Sequence, residues 1–327
     1  PIYMGFLMTE PNSISCTQLA ETYNISHDSV NRFLEREDYT PHDLYQEAIQ
    51  HIDNNKLIVS IDDTVLDKPY SQHMDLVSYF WSGKHHRSVK GINLITLYAT
   101  DQNGQNIPIN FRIYDKSEGK TKNDYFMDML SEVLSWGAKI QFITGDSWYS
   151  STENLKTIRK YGIRFMFGVD SNRKVSPEKG QWFQLRLLPN FHQGQVVWLK
   201  DFGFVQLFKT QLKEQQRFYI VHQDEDDLLS FEGFHELHSS HWKIEQYHRV
   251  IKQVCHIEKF QVRRSKLILN HIFSALMAYV EIQKNQFERI FENVYRWQKK
   301  LFRPIIKDFI DDFILDKNHL LPQRIYK

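Results

Sequence analysis

The stretch KLIVSIDDTVLDKP, residues 56–69, begins as an apolar run and ends by setting Asp62 beside Asp63. The run reads as a strand. Successive side chains of a strand point to opposite faces, so two adjacent acids cannot share one site without distorting the backbone. One of them belongs to a site, and the strand alone leaves open which.

Two more strands follow, INLITLYAT (92–100) and IPINFRIYD (107–115), joined as a hairpin by the turn DQNGQN (101–106). Then come an amphipathic helix over 122–136, a strand IQFITGD (140–146), a helix over 151–161 and a strand IRFMFGV (163–169). A run of strands followed by helix–strand alternation places the fold in the α/β or α+β class. The same order resembles an RNase H-like core, here spanning 56–169 and resuming over 233–285.

Between these parts, residues 170–232 carry QVVWLKD, GFVQLFKTQ and QRFYIVHQ, read as a separate β-rich lobe inserted into the core. DEDD (224–227) reads as a solvated turn. Helices occupy 233–315, broken near KFQVRRSK (259–266) and at Pro304, with a C-terminal helical region over 286–327. Leu267 to Val280 is uncharged but too short for a membrane span, and reads as a buried core helix.

At the other end, residues 1–55 form an N-terminal helical unit. CTQLAETYNISHDSVNRFLER (16–36) gives two helices around a turn at Asn24–Ser26, with Ser26 as a cap. This is a helix-turn-helix pattern or a plain helical hairpin. The acidic balance here, nine Asp and Glu against three Lys and Arg over 1–56, favours the hairpin.

Over 241–307 the balance reverses to fourteen Lys and Arg against five acids. A polyanion would meet this third of the chain first. Two cysteines, Cys16 and Cys255, are too few for a disulfide framework, and no apolar leader opens the sequence at Pro1. The expected setting is reducing and cytoplasmic, with no membrane partner.

IQFITGDSWYS ends its strand in Asp146 much as LIVSIDD ends in Asp63. The third element is HSSHWKIEQYHRVIKQ (238–253). At about 100° per residue, His238, His241, Arg249 and Lys252 all fall within about 40° of Glu245 on a helix. One stripe thus presents a single acid among imidazoles and cations, unlike a solvated face of alternating charge.

SIDDT, TGDSWY and HWKIEQYHRVIKQ, in that order and with a β-rich insertion before the third, resemble the DDE transposases of the insertion-sequence-four type. The resemblance covers roughly residues 57–285 and includes the Glu-x6-Lys spacing of Glu245 and Lys252. It implies Asp63, Asp146 and Glu245 as catalytic acids and metal ligands, leaving Asp62 on the opposite face. The family's signature has Tyr and Arg where this chain has His238 and His241, and the resemblance implies phosphate contacts at these two positions and at Lys252.

The resemblance also implies the reaction. Two Mg²⁺ ions, replaceable by Mn²⁺, would serve hydrolysis and then strand transfer in cut-and-paste transposition, an endonuclease and recombination chemistry to which hard carboxylate ligands are suited. The implied partners are double-stranded DNA, as terminal inverted repeats and target, and a second copy on paired ends. The protein would be associated with the nucleoid when acting.

Arg249, Arg263 and Arg264 extend the expected DNA contacts, as does RWQKKLFR (296–303), and SGKHHRSVK (82–90) is a further candidate phosphate loop. His235, His238 and His241 lack the spacing of a zinc pair, and GDSWYS lacks that of a serine nucleophile, so Ser147 reads as a cap or turn residue. Trp148, Trp182, Trp198 and Trp242 are expected in the core. The competing readings are a transposase-derived DNA-binding protein without catalysis and another RNase H-like nuclease; three acids in place favour the transposase.

Overall fold

A computed structural model describes residues 1–10, 15–212, 215–222 and 227–318. Most of the acidic run 224–227 lies outside them. Four helices open the chain: α1 (Ile2–Thr9), α2 (Cys16–Tyr23), α3 (His27–Arg36) and α4 (Pro41–Ala48). The sheet begins with β1 (Leu57–Asp67), β2 (Ser78–Ser82), β3 (Arg87–Thr100) and β4 (Asn106–Ile113). Next come α5 (Lys122–Ser135), β5 (Ile140–Gly145), α6 (Thr152–Lys160) and β6 (Arg164–Val169).

The insertion holds β7 (Lys174–Ser176), β8 (Phe183–Gln184), β9 (Gln195–Leu199), β10 (Gly203–Leu212) and β11 (Gln215–His222). Three long helices follow: α7 (Phe231–Gln253), α8 (Ser265–Phe287) and α9 (Val294–Asn318). Pro304 lies inside α9 rather than ending it, against the expected break. Its flanks are exposed, so the carbonyl that loses a partner is left where water reaches it.

β1 is central to the core part of the sheet. It pairs antiparallel with β3 and parallel with β5, while β3 carries both β4 and β2 along its far side. β6 extends the parallel ladder beyond β5. Three antiparallel strands, then two parallel ones reached through helical crossovers, make this a mixed α/β fold of RNase H-like order. β2 has no counterpart among the strands read from the sequence.

The insertion is not a separate lobe. β11 pairs antiparallel with β6, and β10, β9, β7 and β8 follow, so one sheet of eleven strands runs through both parts. The reason is local: β6 would otherwise end the sheet, and β11 satisfies its open edge. Phe208 of β10 stacks on Phe234 of α7 at 4.4 Å, in a small core with Phe142, Met166, Tyr219, Val221 and Leu237.

α8 is the buried core helix that its apolar sequence demanded, and the opening helices dock on it. Tyr3 Oη lies 2.7 Å from His271 Nδ1, and Asn270 Nδ2 donates to the carbonyls of Leu34 and Glu37. The α2–α3 turn is set by Asn24 in a left-handed conformation and by Ser26, whose hydroxyl accepts from Asp28 N–H. Among the described residues no helix is long and apolar enough to cross a membrane.

Candidate active site

The register between β1 and β5 builds the site. Ser60 pairs with Thr144 and Ile61 with Gly145, so Asp62 and Asp146 are the next residues out of the parallel ladder. Paired residues of parallel strands share a face, and Ser60 Oγ indeed meets Thr144 Oγ1 at 2.8 Å. Two residues on, Asp62 and Asp146 return to that same face. β1 itself does not end at the acids; it continues along β3 to Asp67.

α7 packs across β1 on this face. His241 Nδ1 sits 3.1 Å from Thr144 Oγ1, and His248 Nδ1 is 3.5 Å from Asp62 Oδ2. Glu245 projects from the turn between them into an open cleft of 480 Å³ that Asp62, Asp146, His238, His241 and Trp242 also line. Arg217 of β11 forms part of the opposite wall.

Asp63, the residue expected in the site, points the other way. One carboxylate oxygen accepts from Asn93 Nδ2 at 2.6 Å and from Lys122 Nζ at 2.7 Å; the other accepts from Tyr149 Oη at 2.9 Å. These donors come from β3, α5 and the short turn Ser147–Tyr149 that follows Asp146. The alternation rule holds, but the structure puts Asp62 in the cleft and Asp63 behind it. Asn93, Lys122, Tyr149 and His248 were not singled out from the sequence.

Negative charge in the cleft is compensated only in part. Burial, then the neighbouring charges of Asp146, Asp63 and Glu245, push the Asp62 carboxyl well above the usual carboxylate range. Asp146 is raised to about 6, by burial first and then by Asp63; its bond from Trp148 N–H and the nearby Lys122 offset this only in part. Asp146 is exposed at the cleft, while the backbone of Asp146 and Ser147 packs closely against Gly168. Gly168 allows that crowding, since a Cβ there would come within 3.2 Å of Ser147 N.

The histidines are neutral. Burial and then His238 hold His241 down to about 4, and burial and then Lys252 hold His248 down to about 3. His238, lowered by burial, has Nε2 3.0 Å from Tyr219 Oη. They present hydrogen-bonding nitrogens rather than positive charge.

The other expected DNA contacts are dispersed. Lys252 Nζ donates to Val65 O at 2.6 Å and stands 3.9 Å from Glu258, so it braces β1 instead of facing the cleft. Arg264 pairs with Glu35 of α3 at 2.7 Å, and with Arg263 lines a groove against α2 and α3. Arg249 is exposed on α7. The four tryptophans expected in the core are exposed, Trp148 at 62% and Trp242 at 45%, with Trp182 and Trp198 on the insertion.

Three carboxylates without thiolates suit a hard divalent cation. Among the described residues, however, no group of three or more His, Cys, Asp or Glu side chains is drawn together closely enough to hold an ion.

Residues 53–280 match the family model described as Transposase DDE domain, from just before β1 into α8. Among solved structures, the chain is similar to the NurA nuclease from Sulfolobus solfataricus at 11% identity and a TM-score of 0.25, over 88% of this chain and 96% of that one. It is also similar to Marinitoga piezophila Argonaute in complex with 5′ OH guide RNA and target DNA, at 11% identity and a TM-score of 0.23, over 65% of this chain. The chain spans only 28% of the Argonaute's length. No curated protein matches. With its acids on adjoining strands and a helix, inside a matched segment that covers more than half of its length, the chain belongs to the DDE transposase family.

Proposed function

We propose that the protein cleaves DNA at the ends of an insertion sequence of the insertion-sequence-four type and joins them to a target, using Asp62, Asp146 and Glu245 as its acids. The observation that carries this reading is the placement of Asp62 and Asp146 in register on one face of the sheet, with Glu245 of α7 in the same cleft. Asp62 here takes the role that the sequence resemblance gave to Asp63.

Asp62, Asp146 and Glu245 are the residues that would hold divalent ions, Mg²⁺ or Mn²⁺, and such ions would supply positive charge to the attacking and leaving oxygens. The residues around them bind and orient. His241 and His248, neutral and fixed on Thr144 and beside Asp62, set the position of α7 over the strands. Arg217 and Arg249 contact the backbone phosphates of the DNA, giving salt-dependent affinity. Asp63 ties β1 to the Asp146 turn through Tyr149 and keeps the two acids aligned.

Water attacks first and frees a 3′ hydroxyl at the element's end; that hydroxyl then attacks the target strand. The partners are terminal inverted repeats, target DNA and a second copy of the chain on paired ends, acting at the nucleoid.

The test is cleavage of a duplex carrying the element's end in Mg²⁺. Asp62→Asn, Asp146→Asn and Glu245→Gln should each lower the rate by about a thousandfold or more, as loss of a transition-state contact worth about 4 kcal/mol does. Full activity in any one of them removes that residue from the mechanism.

A further inference from the structure

The β2–β3 hairpin has a composition that the cleft does not use. Tyr79 and Trp81 on β2 are 65% and 67% exposed, whereas Phe80 between them is 6% exposed. Tyr70, 94% exposed, lies on the segment beside them, where Lys90 Nζ donates to Ser71 O. Among the described residues, β2 has no strand beyond it. Exposed aromatics alternating on an edge strand are not needed by the core, which takes Phe80 alone.

The pairing register fixes where they face. Asp62 pairs with Thr96, and alternate residues of β3 then carry that face to Lys90 and Ser88. Lys90 pairs with Tyr79 and Ser88 with Trp81. Both aromatics therefore stand on the same face of the sheet as Asp62 and α7. Six to eight residues along β3 place them about 20 to 26 Å from the acids.

The charge around them is positive. Lys84, His86 and Arg87 form the exposed tip of the hairpin. The acid beneath it, Asp67, is already engaged by His85 at 2.9 Å and Lys84 at 3.5 Å. A platform of aromatic rings beside cations fits one class of partner, a nucleic-acid strand whose unpaired bases stack on the rings while its phosphates meet the tip.

We propose that the face of β2 carrying Tyr79 and Trp81, with the tip at Lys84 and Arg87, binds an unpaired DNA strand leading from the cleft. This rests on the reading of the cleft as a DNA-cleaving site.

The test is the fluorescence anisotropy of labelled oligothymidine of about 20 nucleotides, and of a duplex of the same length, with the full chain. Trp81→Ala should weaken binding of the single strand by about tenfold, Trp81→Phe should recover most of it, and the duplex should be affected less. Lys84→Ala combined with Arg87→Ala should weaken both probes and reduce the salt dependence.

The proposal is overturned if Trp81→Ala and Tyr79→Ala bind the strand as the unaltered protein does. It is also overturned if Trp81→Ala changes self-association in sedimentation without changing affinity. Mg²⁺-dependent cleavage by the unaltered protein, and its loss in Asp62→Asn, report on the cleft separately. A cleaving enzyme indifferent to Trp81→Ala keeps the cleft and loses the hairpin.

Discussion

Asp62 and Asp63 are neighbours with opposite surroundings, and substitutions should separate them. Asp63 is held by an ammonium, an amide and a phenol, so Asp63→Asn leaves Lys122 short of its counter-charge in a half-buried setting. We expect it to cost about 1 to 3 kcal/mol of stability, visible in urea denaturation, with cleavage reduced about tenfold. Asp62→Asn should instead preserve stability and lose cleavage. The reverse pattern would restore Asp63 to the cleft role.

Asp146 gives a pH prediction. Its carboxyl is raised to about 6 in the fold against about 4 in an unfolded chain. A raised acid binds its proton more tightly when folded, so no penalty exists below about pH 4, and it grows between 4 and 6 and is complete above 6. Asp146→Asn removes it. In the absence of divalent metal, the variant should melt about 1 to 3 °C above the unaltered protein at pH 8 and level with it at pH 4. Mg²⁺ should stabilise the unaltered protein at pH 8, and its binding near pH 6 should release protons, readable by calorimetry in two buffers.

At the scale of elements, the site depends on how closely β3 approaches β1. Gly91 sits opposite Asp67, and a Cβ there would lie 2.5 Å from Leu66 O and 2.7 Å from a Val65 methyl. Backbone cannot yield as a side chain can. Gly91→Ala should cost about 1 to 3 kcal/mol and also lower cleavage, because the strand that must shift carries Asp62; chemical denaturation and rate measured on one preparation would check both.

Much at this scale was legible beforehand, since strands and helices announce themselves by period: α5, α6, β5 and β6 start and stop within a residue or two of their patterns. β2 was missed because five residues with outward aromatics look like a loop. Pro304 misled because an exposed helix tolerates one lost bond. The tryptophans misled because size favours burial only where a core has room for them.

For the whole molecule, the insertion and the core share one sheet and a small apolar cluster under α7. Phe234 stacks on Phe208 and meets Tyr219 at 5.5 Å, so it fastens the start of the Glu245 helix to the insertion. Phe234→Ala should cost about 3 to 5 kcal/mol and reduce cleavage beyond what its distance from the acids suggests. An activity loss without any fall in thermal midpoint would show that the cluster does not support α7.

Sequence alone determined most of the elements, β2 excepted, and the fold class, because these follow from local period and residue type; the set of three acids came from the family resemblance, with Asp63 in place of Asp62. Even the inward acid left a trace: Ser60-x-Asp62 and Thr144-x-Asp146 repeat one spacing on two strands. What made that spacing meaningful was the pairing of Ile61 with Gly145, a contact between residues 84 apart in the chain that no local pattern encodes. The tertiary structure likewise decided that Lys252 braces a strand, that Arg264 answers Glu35, and that the insertion continues the sheet. Alternation says that adjacent acids part company; only strand register says which one meets its partners.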